Sequence, residues 1–378
     1  MKMTRRTLLK TGAGGALGGA LAAEMLGSPE WPRVLLMVRG EDPTHAHQRL
    51  VASLSRFVPN PALLARILPE QVLAGDFTDP GAFCQDQRLA GIRRVVHCAA
   101  LTSFGPTGRV FTTNVDGTLR FVHHLRQVAD IERFLHVSTA MICGDRPASL
   151  VHEDDYPRKN VDHLVNYTQS KAEAERLLRL TLPGFPLVVV RPSIIVGHTE
   201  LGCAPSASIF WAFRISNALG MITGREDGRI DVVPVDYAAN ALKYLLLKPH
   251  LMHSSYHISA GEESCCSWDD IAGAFAGAEQ AGPEPARVLA RYRTATLAEI
   301  ESRKAEFDSL FGRCNKLFMM KAIKLYGAFA GLNTAFDNTR LRAEGFPASP
   351  RFSDYLAACQ RSCAGATIAD QMLIDFAA

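Results

Sequence analysis

Tyr167 and Lys171 are the residues of this sequence best suited by type and spacing to acid–base chemistry. The surrounding segment, NYTQSKAEAERLL, is typical of a helix, and a separation of four residues places both side chains on one helix face. A tyrosine ordinarily has a pKa of about 10, and a nearby ammonium group favours the phenolate. We therefore expect Lys171 to lower the pKa of Tyr167. A surface pair of this spacing also arises by chance.

A hydroxyl group further upstream could complete the site. Thr139 ends the apolar run FLHVSTA, twenty-eight residues before Tyr167. In a parallel α/β sheet, a strand end and the helix that follows it face one crevice, so this hydroxyl could hydrogen-bond a substrate oxygen. Ser138 is the alternative, but adjacent strand residues point to opposite faces and only one can serve. We choose Thr139, which lies five residues before Gly144.

A glycine motif near the amino end predicts a second site, for a phosphate-bearing ligand. T-G-x-x-G-x-x-G stands between a predicted strand and a predicted helix. One glycine permits a tight turn, one lets the backbone approach a pyrophosphate, and one lets helix and strand pack closely. The helix N-terminus adds N–H donors and positive partial charge. The predicted cofactor contacts here are Thr11, Gly12, Gly15, Ala16, Leu17 and Gly18.

Arg39, at the end of the second predicted strand, bears on the choice between the two nicotinamide cofactors. An acidic residue about twenty positions past the glycines would bind a ribose 2′-hydroxyl and select NAD, whereas an arginine suits a 2′-phosphate. Arg49, on the following helix, could supply a second contact. Glu41 and Asp42 lie close enough to keep NAD open. We expect NADPH, with NAD as the less favoured cofactor.

Several later residues complete the predicted cofactor site. Asp76 ends the third predicted strand and could accept a hydrogen bond from the adenine amino group. Small residues after the fourth strand, Ala99 and Ala100, would let a dinucleotide lie across the sheet edge. His97 is interpreted as a packed strand histidine outside the chemistry. The remaining predicted cofactor contacts are Phe77, Asn114, Tyr167, Lys171, Pro192, Ser193 and Ile194.

The elements that position these residues follow a repeating pattern up to about residue 192. Short apolar runs such as RVLLMVR and PLVVVRPS alternate with helix-length amphipathic segments, which predicts a doubly wound α/β fold around a parallel Rossmann sheet. After Pro192 the pattern breaks, and it returns near 230–260. We predict an NADP-binding domain over 1–198 and about 228–260, and a smaller, mostly helical substrate-binding region over about 199–227 and 261–378.

The first residues allow two interpretations that exclude each other. Arg5 and Arg6, followed by a weakly apolar Gly/Ala-rich run, are similar to a twin-arginine export signal. The alternative is a strand from Thr7 to Lys10 that leads into the glycine turn. Because the next apolar strand, Val34 to Arg39, arrives after one helix length, as a βαβ unit requires, we favour the strand and a cytoplasmic location.

Composition excludes several classes of function. The sequence has 41 basic and 38 acidic residues, a net charge of +3, and no dense basic run, so we expect no nucleic-acid partner. Its nine cysteines are odd in number and lack a C-x-x-C pair, which favours reduced thiols and no metal site. No apolar run is long enough to span a membrane.

Taken together, these motifs resemble the extended short-chain dehydrogenase/reductase family over roughly residues 7–260. The glycine motif, GD-x-x-x-P, H-x-AA, N-V-x-G-T, S-T-A, Y-x-x-x-K, RPS and VPVD occur in order. Within that family the segments MVRGEDPTHAHQRL, HCAALTSF, RPSII and DVVPVDYAANAL are most similar to fatty acyl-CoA reductases and thioester-reductase domains. The resemblance implies NADPH, with Arg39 and Arg49 at its 2′-phosphate, and an acyl thioester or related carbonyl substrate.

The substrate side is expected to be apolar. Ile209, Phe210, Trp211 and Phe213, with the segment 317–326, could line a pocket for a hydrophobic acyl or carbonyl compound, or could simply be core. The alternative functions are an NAD-dependent epimerase or dehydratase acting on a nucleotide sugar, a 3β-hydroxysteroid-like alcohol dehydrogenase, and a non-enzymatic dinucleotide sensor. A homodimer is left open.

Overall fold

The centre of the molecule is a seven-stranded parallel sheet. The computed structural model describes residues 7–103, 108–206, 208–280 and 291–377. The strands are β1 (Leu8–Thr11), β2 (Val34–Val38), β3 (Val72–Ala74), β4 (Arg94–His97), β5 (Arg133–Val137), β6 (Leu187–Pro192) and β7 (Ser255–Ile258). Their order along the sheet is β7-β6-β5-β4-β1-β2-β3. The order reverses between β1 and β4, the point at which open α/β sheets bind ligands beyond the strand ends.

Helices cover both faces of this sheet. The longer helices are α1 (Ala16–Leu26), α2 (Pro43–Leu54), α3 (Thr118–Val128), α4 (Asn166–Thr181), α5 (Phe210–Leu219), α6 (Val235–Leu247), α7 (Trp268–Gln280), α8 (Lys316–Ala330), α9 (Phe352–Ser362) and α10 (Ile368–Ala377). Helices α1, α2 and α6 share a buried apolar cluster with Leu8, whereas α3 and α4 share another with Leu9. Alternate residues of β1 therefore face opposite layers, and the predicted doubly wound fold is confirmed.

Short elements fill the connections. The short α-helical segments are Pro61–Leu64, Arg109–Phe111, Gly261–Ser264, Leu297–Ser302, Phe307–Phe311 and Thr339–Ala343, and a π-helix covers Thr112–Gly117. Short 3-10 turns cover Trp31–Arg33, Pro69–Gln71, Pro80–Ala82, Gln87–Gly91, Ala140–Cys143 and Lys304–Glu306. Two-residue strands pair Leu150–Val151 with Ala335–Phe336, Ile194–Ile195 with Val232–Val233, Met221–Ile222 with Arg293–Thr294, and Arg229–Ile230 with Cys266–Ser267.

The chain after β6 is largely helical, and it builds apolar clusters of its own. One cluster contains Phe210, Phe275 and Phe352, and another contains Trp211, Phe307 and Met372. Strand β7 returns to the edge of the central sheet, where the sequence pattern places it. The limits of the two predicted domains stay a prediction.

Three further findings concern the chain as a whole. Residues 1–6, which include Arg5 and Arg6, lie outside the described residues, and β1 begins one residue later than expected. Among the described helices, none has both the length and the apolar character needed to cross a bilayer. All nine cysteines are free thiols.

Candidate active site

The glycine turn joins β1 to α1 in the way that dinucleotide binding requires. Gly12 has a φ of +68°, and a Cβ atom there would lie 2.8 Å from the backbone nitrogen of Ala99. A Cβ atom at Gly18 would lie 2.0 Å from the carbonyl oxygen of Gly12. Gly15 caps the N-terminus of α1, so backbone N–H groups point out of the turn. These residues fit a pyrophosphate group.

Thr11 and His97 fasten the turn to β4. The Thr11 hydroxyl oxygen accepts a hydrogen bond from the Ala99 N–H at 3.3 Å and lies 2.9 Å from His97 Nδ1. The other ring nitrogen of His97 lies 3.2 Å from the Thr118 hydroxyl. Burial, and then the charge of Lys171, lower the pKa of His97 to about 3. His97 is therefore a neutral, packed strand residue, as the sequence indicated.

The end of β2 presents basic side chains to solvent. Arg39 directly follows the strand and is exposed, and Arg49 is exposed on α2. Asp42 is the N-cap of α2, because its carboxylate accepts a hydrogen bond from the His45 N–H at 2.8 Å. Asp42 is therefore engaged in the helix cap, whereas Arg39 and Glu41 are both exposed after β2.

The adenine side of the predicted site is formed by the residues after β3. One carboxylate oxygen of Asp76 accepts hydrogen bonds from the N–H and the hydroxyl of Thr78, at 2.9 and 2.8 Å. The Phe77 ring is buried and meets the His97 ring edge-on, with centroids 5.0 Å apart. Any cofactor contact by Phe77 would therefore come from its backbone, while Asp76 has a second carboxylate oxygen to offer.

Asn114 ties the loop after β4 to the helix that carries Tyr167. It lies in the π-helix Thr112–Gly117, a distortion that is common at functional sites. Its amide nitrogen donates to Leu101 O and to Ser170 Oγ, both at 3.0 Å, and its oxygen accepts from Leu101 N at 2.7 Å. The side chain of Asn114 thus sets the spacing between this loop, which begins with Ala99 and Ala100, and α4.

Tyr167 and Lys171 both lie on the first turns of α4, over the end of β5. The ammonium group of Lys171 donates to the Val137 carbonyl at 2.5 Å and is almost fully buried. Burial lowers the pKa of Lys171 to about 8, against the opposing effects of Cys98 and Glu175. Burial raises the pKa of Tyr167 to about 12. The lowering of the pKa expected for this tyrosine is therefore wrong for the free chain, because burial disfavours the charged phenolate.

The two hydroxyl candidates at the end of β5 differ in their surroundings. Thr139 is the N-cap of the turn Ala140–Cys143, where its hydroxyl accepts from the Met141 N–H at 3.3 Å. Ser138 is also buried, and its hydroxyl has no hydrogen-bond partner among the described residues. The choice of Thr139 as the substrate-binding hydroxyl stays a prediction.

A buried ion pair that the sequence analysis missed holds α4 on the sheet. The guanidinium of Arg191, on β6, donates two hydrogen bonds to the carboxylate of Glu175, at 2.6 and 3.1 Å, and both side chains are fully buried. Glu175 lies one helical turn after Lys171 and so shares its helix face. The arginine of the RPS motif was the available signal, since a charged residue inside an apolar strand requires a partner.

An apolar cavity of about 80 Å³ lies among α5, α8 and the short strands beside them. Of the predicted pocket residues, Ile209, Trp211, Phe213 and Tyr326 line it. Phe210 is instead buried in the core, and Leu317 is 68% exposed. Neither residue lines this cavity, and for Phe210 core packing, the alternative that the sequence leaves open, is the one observed.

The cavity is connected by packing to the end of β5. Ile194 and Phe329 line it and also pack against the cluster that contains Ala140 and Met141, the residues after Thr139. Ile194 follows the predicted cofactor residues Pro192 and Ser193, whose buried segment is fixed by the bond from Ser193 N to Ile258 O at 3.0 Å. Ile194 therefore stands between the predicted cofactor site and the apolar cavity.

Comparison with known proteins identifies a family and several relatives of this chain. Residues 11–242, more than half of the chain, match the family described as "Male sterility protein". The chain is 28% identical over 273 residues to a non-canonical nonribosomal peptide synthetase of Aspergillus hancockii, a match that covers 68% of this chain and 26% of that protein. It is 24% identical over 315 residues to the human fatty acyl-CoA reductase 2, a match that covers 70% of this chain and 59% of the relative.

These relatives are longer proteins, and this chain spans between about a quarter and three fifths of their length. Among solved structures, the terminal R domain from the myxalamid PKS-NRPS biosynthetic pathway superposes with a TM-score of 0.76. The superposition covers 96% of this chain and 91% of that domain at 21% identity. At this level of identity the likeness concerns the fold.

Proposed function

We propose that this chain reduces an acyl thioester to an aldehyde with NADPH. The chain belongs to the male sterility protein family, within the extended short-chain dehydrogenase/reductases. Members of that group are NAD(P)-dependent oxidoreductases. One observation carries the proposal. The glycine turn, the Tyr167–Lys171 pair and the end of β5 share the carboxyl edge of one sheet, and an apolar cavity adjoins it.

The burial of Tyr167 suits the reductive direction. With its pKa raised to about 12, the phenol is protonated at neutral pH and can donate that proton to an oxygen atom on which negative charge develops. A bound nicotinamide dinucleotide supplies the hydride in such chemistry. Thr139 would donate a second hydrogen bond to the same oxygen, and Lys171 would hold the ribose hydroxyls and stabilise the phenolate left on Tyr167.

The thioester substrate is proposed from the cavity and from the relatives. Reduction of a thioester carbonyl gives a hemithioacetal, which releases a thiol and an aldehyde when its C–S bond breaks. The apolar lining of the cavity would bind the acyl chain, while the thiol half would remain outside it. The human relative is named a fatty acyl-CoA reductase, and an acyl-CoA is a thioester, which favours this substrate class over a sugar nucleotide.

NADPH is proposed from the side chains at the end of β2. Arg39 and Arg49 are exposed there and would bind the 2′-phosphate, whereas Asp42 is occupied as a helix cap. A ribose 2′-hydroxyl would instead be bound by a carboxylate, and the exposed Glu41 is the residue that keeps NAD as the alternative cofactor.

A coupled assay tests both parts of the proposal. We expect oxidation of NADPH, faster than that of NADH, with medium- and long-chain acyl-CoA substrates, and release of aldehyde and free CoA in equal amounts. Consumption of no reduced cofactor with any acyl-CoA, or retention of bound NAD with interconversion of a nucleotide sugar, would contradict the proposal.

Tyr167→Phe removes the proposed proton donor and keeps the ring. We expect kcat to fall roughly a hundredfold to ten-thousandfold while the Kd for NADPH is unchanged. Tyr156→Phe is the matched control, because Tyr156 is an exposed tyrosine whose ring lies against Arg179, two helical turns beyond Lys171 on α4. Equal turnover of the two variants would remove Tyr167 from the mechanism.

A further inference from the structure

Lys10 is a charged residue in the centre of an apolar sheet. It lies on β1, an interior strand of the sheet, with Leu36 of β2 and Val96 of β4 as its register partners on either side. Its side chain is only 2% exposed, and Leu8, two residues earlier on the same face, belongs to a large apolar cluster. A lysine at this position is surrounded by residues that cannot balance its charge.

The ammonium group of Lys10 lies beneath the glycine turn. Its Nζ is 3.2 Å from the point that a Cβ atom of Gly18 would occupy, in the first turn of α1. It has no hydrogen-bond partner among the described residues, and the first turn of α1 contains no acidic residue. The thiol of Cys98 raises the pKa of Lys10, but this effect is smaller than the lowering of the pKa by burial.

The other fully buried charge on this sheet, that of Arg191, shows what a buried cation normally requires. Arg191 is also fully buried on a strand, but it is satisfied by two hydrogen bonds to Glu175. An isolated buried ammonium group is strongly unfavourable, and a partner normally accompanies it. Because Lys10 lacks a hydrogen-bond partner in the part of the chain that the structure describes and lies behind an N–H-lined turn, the missing partner is expected to be an anion that binds at that turn.

We propose that Lys10 is a cofactor-binding residue whose ammonium group balances the pyrophosphate of the dinucleotide from beneath the glycine turn. It would act through space across the thin wall formed by Gly12 and Gly18, and would add to the field of the N-terminus of α1. The inference rests on dinucleotide binding and not on the thioester substrate. Burial lowers the pKa of Lys10 to about 8, so the group remains mostly charged at neutral pH.

The variant Lys10→Met tests this role, since methionine has a similar length and no charge. The Kd values of NADPH, of ADP-ribose and of adenosine are measured by calorimetry and by competition. We expect NADPH and ADP-ribose, which carry the pyrophosphate, to bind roughly tenfold to a hundredfold more weakly. Adenosine, which carries no phosphate, should bind as it does to the unaltered chain.

Two further measurements separate this role from a structural one. Lys10→Met should unfold at a higher denaturant concentration than the unaltered chain, because an uncompensated buried charge is removed, so loss of affinity cannot be due to loss of fold. Lys243→Met is the matched control, since Lys243 lies on α6 and donates to the carbonyl of Glu24, near the far end of α1. It should leave all three Kd values unchanged.

The outcomes that overturn the inference are distinct. Equal Kd values of NADPH and ADP-ribose for Lys10→Met and the unaltered chain would show that the ammonium group does not act on the pyrophosphate. Equal weakening of adenosine and ADP-ribose would show a general distortion of the site. Absence of dinucleotide binding by the unaltered chain would overturn the cofactor assignment as well.

Discussion

The cofactor end and the apolar cavity of this molecule are built in opposite ways. The cofactor end is made largely by backbone: one continuous stretch, 10–18, supplies a positive φ, a close approach and a helix N-terminus. The cavity is made by side chains that come from separate segments between Ile194 and Ala330. Backbone geometry tolerates few substitutions, whereas a cavity lined by apolar side chains can change size without loss of the fold.

The difference predicts where a single added group has the largest effect. Gly18→Val would place a side chain against the Gly12 carbonyl, where a Cβ atom alone would be 2.0 Å away. Because backbone cannot give way as a side chain does, we expect dinucleotide binding to be lost by more than about a hundredfold, with a lower thermal midpoint. Thermal shift and calorimetry with NADPH measure both effects.

Gly14→Ala is the control for that substitution. Gly14 lies in the same turn, but a Cβ atom there would meet no atom within 4 Å. We expect its Kd for NADPH to stay within about threefold of the unaltered value. If both variants bound NADPH normally, the close packing of this turn would not be a requirement for the cofactor.

The same difference explains how much could be predicted from the sequence. The order of elements and the glycine turn follow from local spacing, and both were predicted. The sequence pattern places Lys10 in the first strand, but nothing in a strand sequence shows that a lysine will lack a partner. The pairing of Arg191 with Glu175 requires the register between β6 and α4. The sequence allows Leu317 in the pocket because its apolar run does not show which face of α8 is turned inward.

The buried ion pair offers the next test, at the boundary between the two regions. Glu175→Gln removes the charge that balances Arg191 while it keeps the shape of the side chain. Removal of one partner of a buried pair typically costs about 3 to 5 kcal/mol, so the free energy of unfolding should fall by that order. Urea unfolding measures the change.

Glu173→Gln is the control on the same helix. Glu173 pairs with Arg176 on the surface of α4, where an ion pair contributes about 1 kcal/mol or less. A similar loss of stability in both variants would mean that burial does not distinguish the two pairs.

A substitution that fills the cavity is expected to change the selectivity for acyl-chain length without abolishing activity. Ala212 lines the cavity on α5, and Ala212→Phe would fill part of it. We expect the ratio of kcat/KM for decanoyl-CoA to that for butyryl-CoA to fall about tenfold or more, since a pocket discriminates among chain lengths by the methylenes it can hold. Leu180→Phe, at an exposed position of α4, should leave the ratio unchanged. An unchanged ratio in Ala212→Phe would place the acyl chain elsewhere.

The smallest effect expected is a pH dependence of the free energy of unfolding, which arises from Lys10 at the cofactor end. The pKa of Lys10 is lowered by burial from 10.5 to about 8, so between these values the unfolded chain holds a proton that the folded chain releases. The unfolded state then binds more protons, and the stability contributed by this residue rises with pH. The destabilisation by the charged lysine is complete below about pH 8 and is lost as the pH approaches 10.5. Lys10→Met should therefore be more stable than the unaltered chain by about 1 to 3 kcal/mol near pH 7, and by much less near pH 10. Urea unfolding of both proteins across this range measures the difference, and a difference that did not shrink with rising pH would mean that Lys10 is not buried as an uncompensated charge.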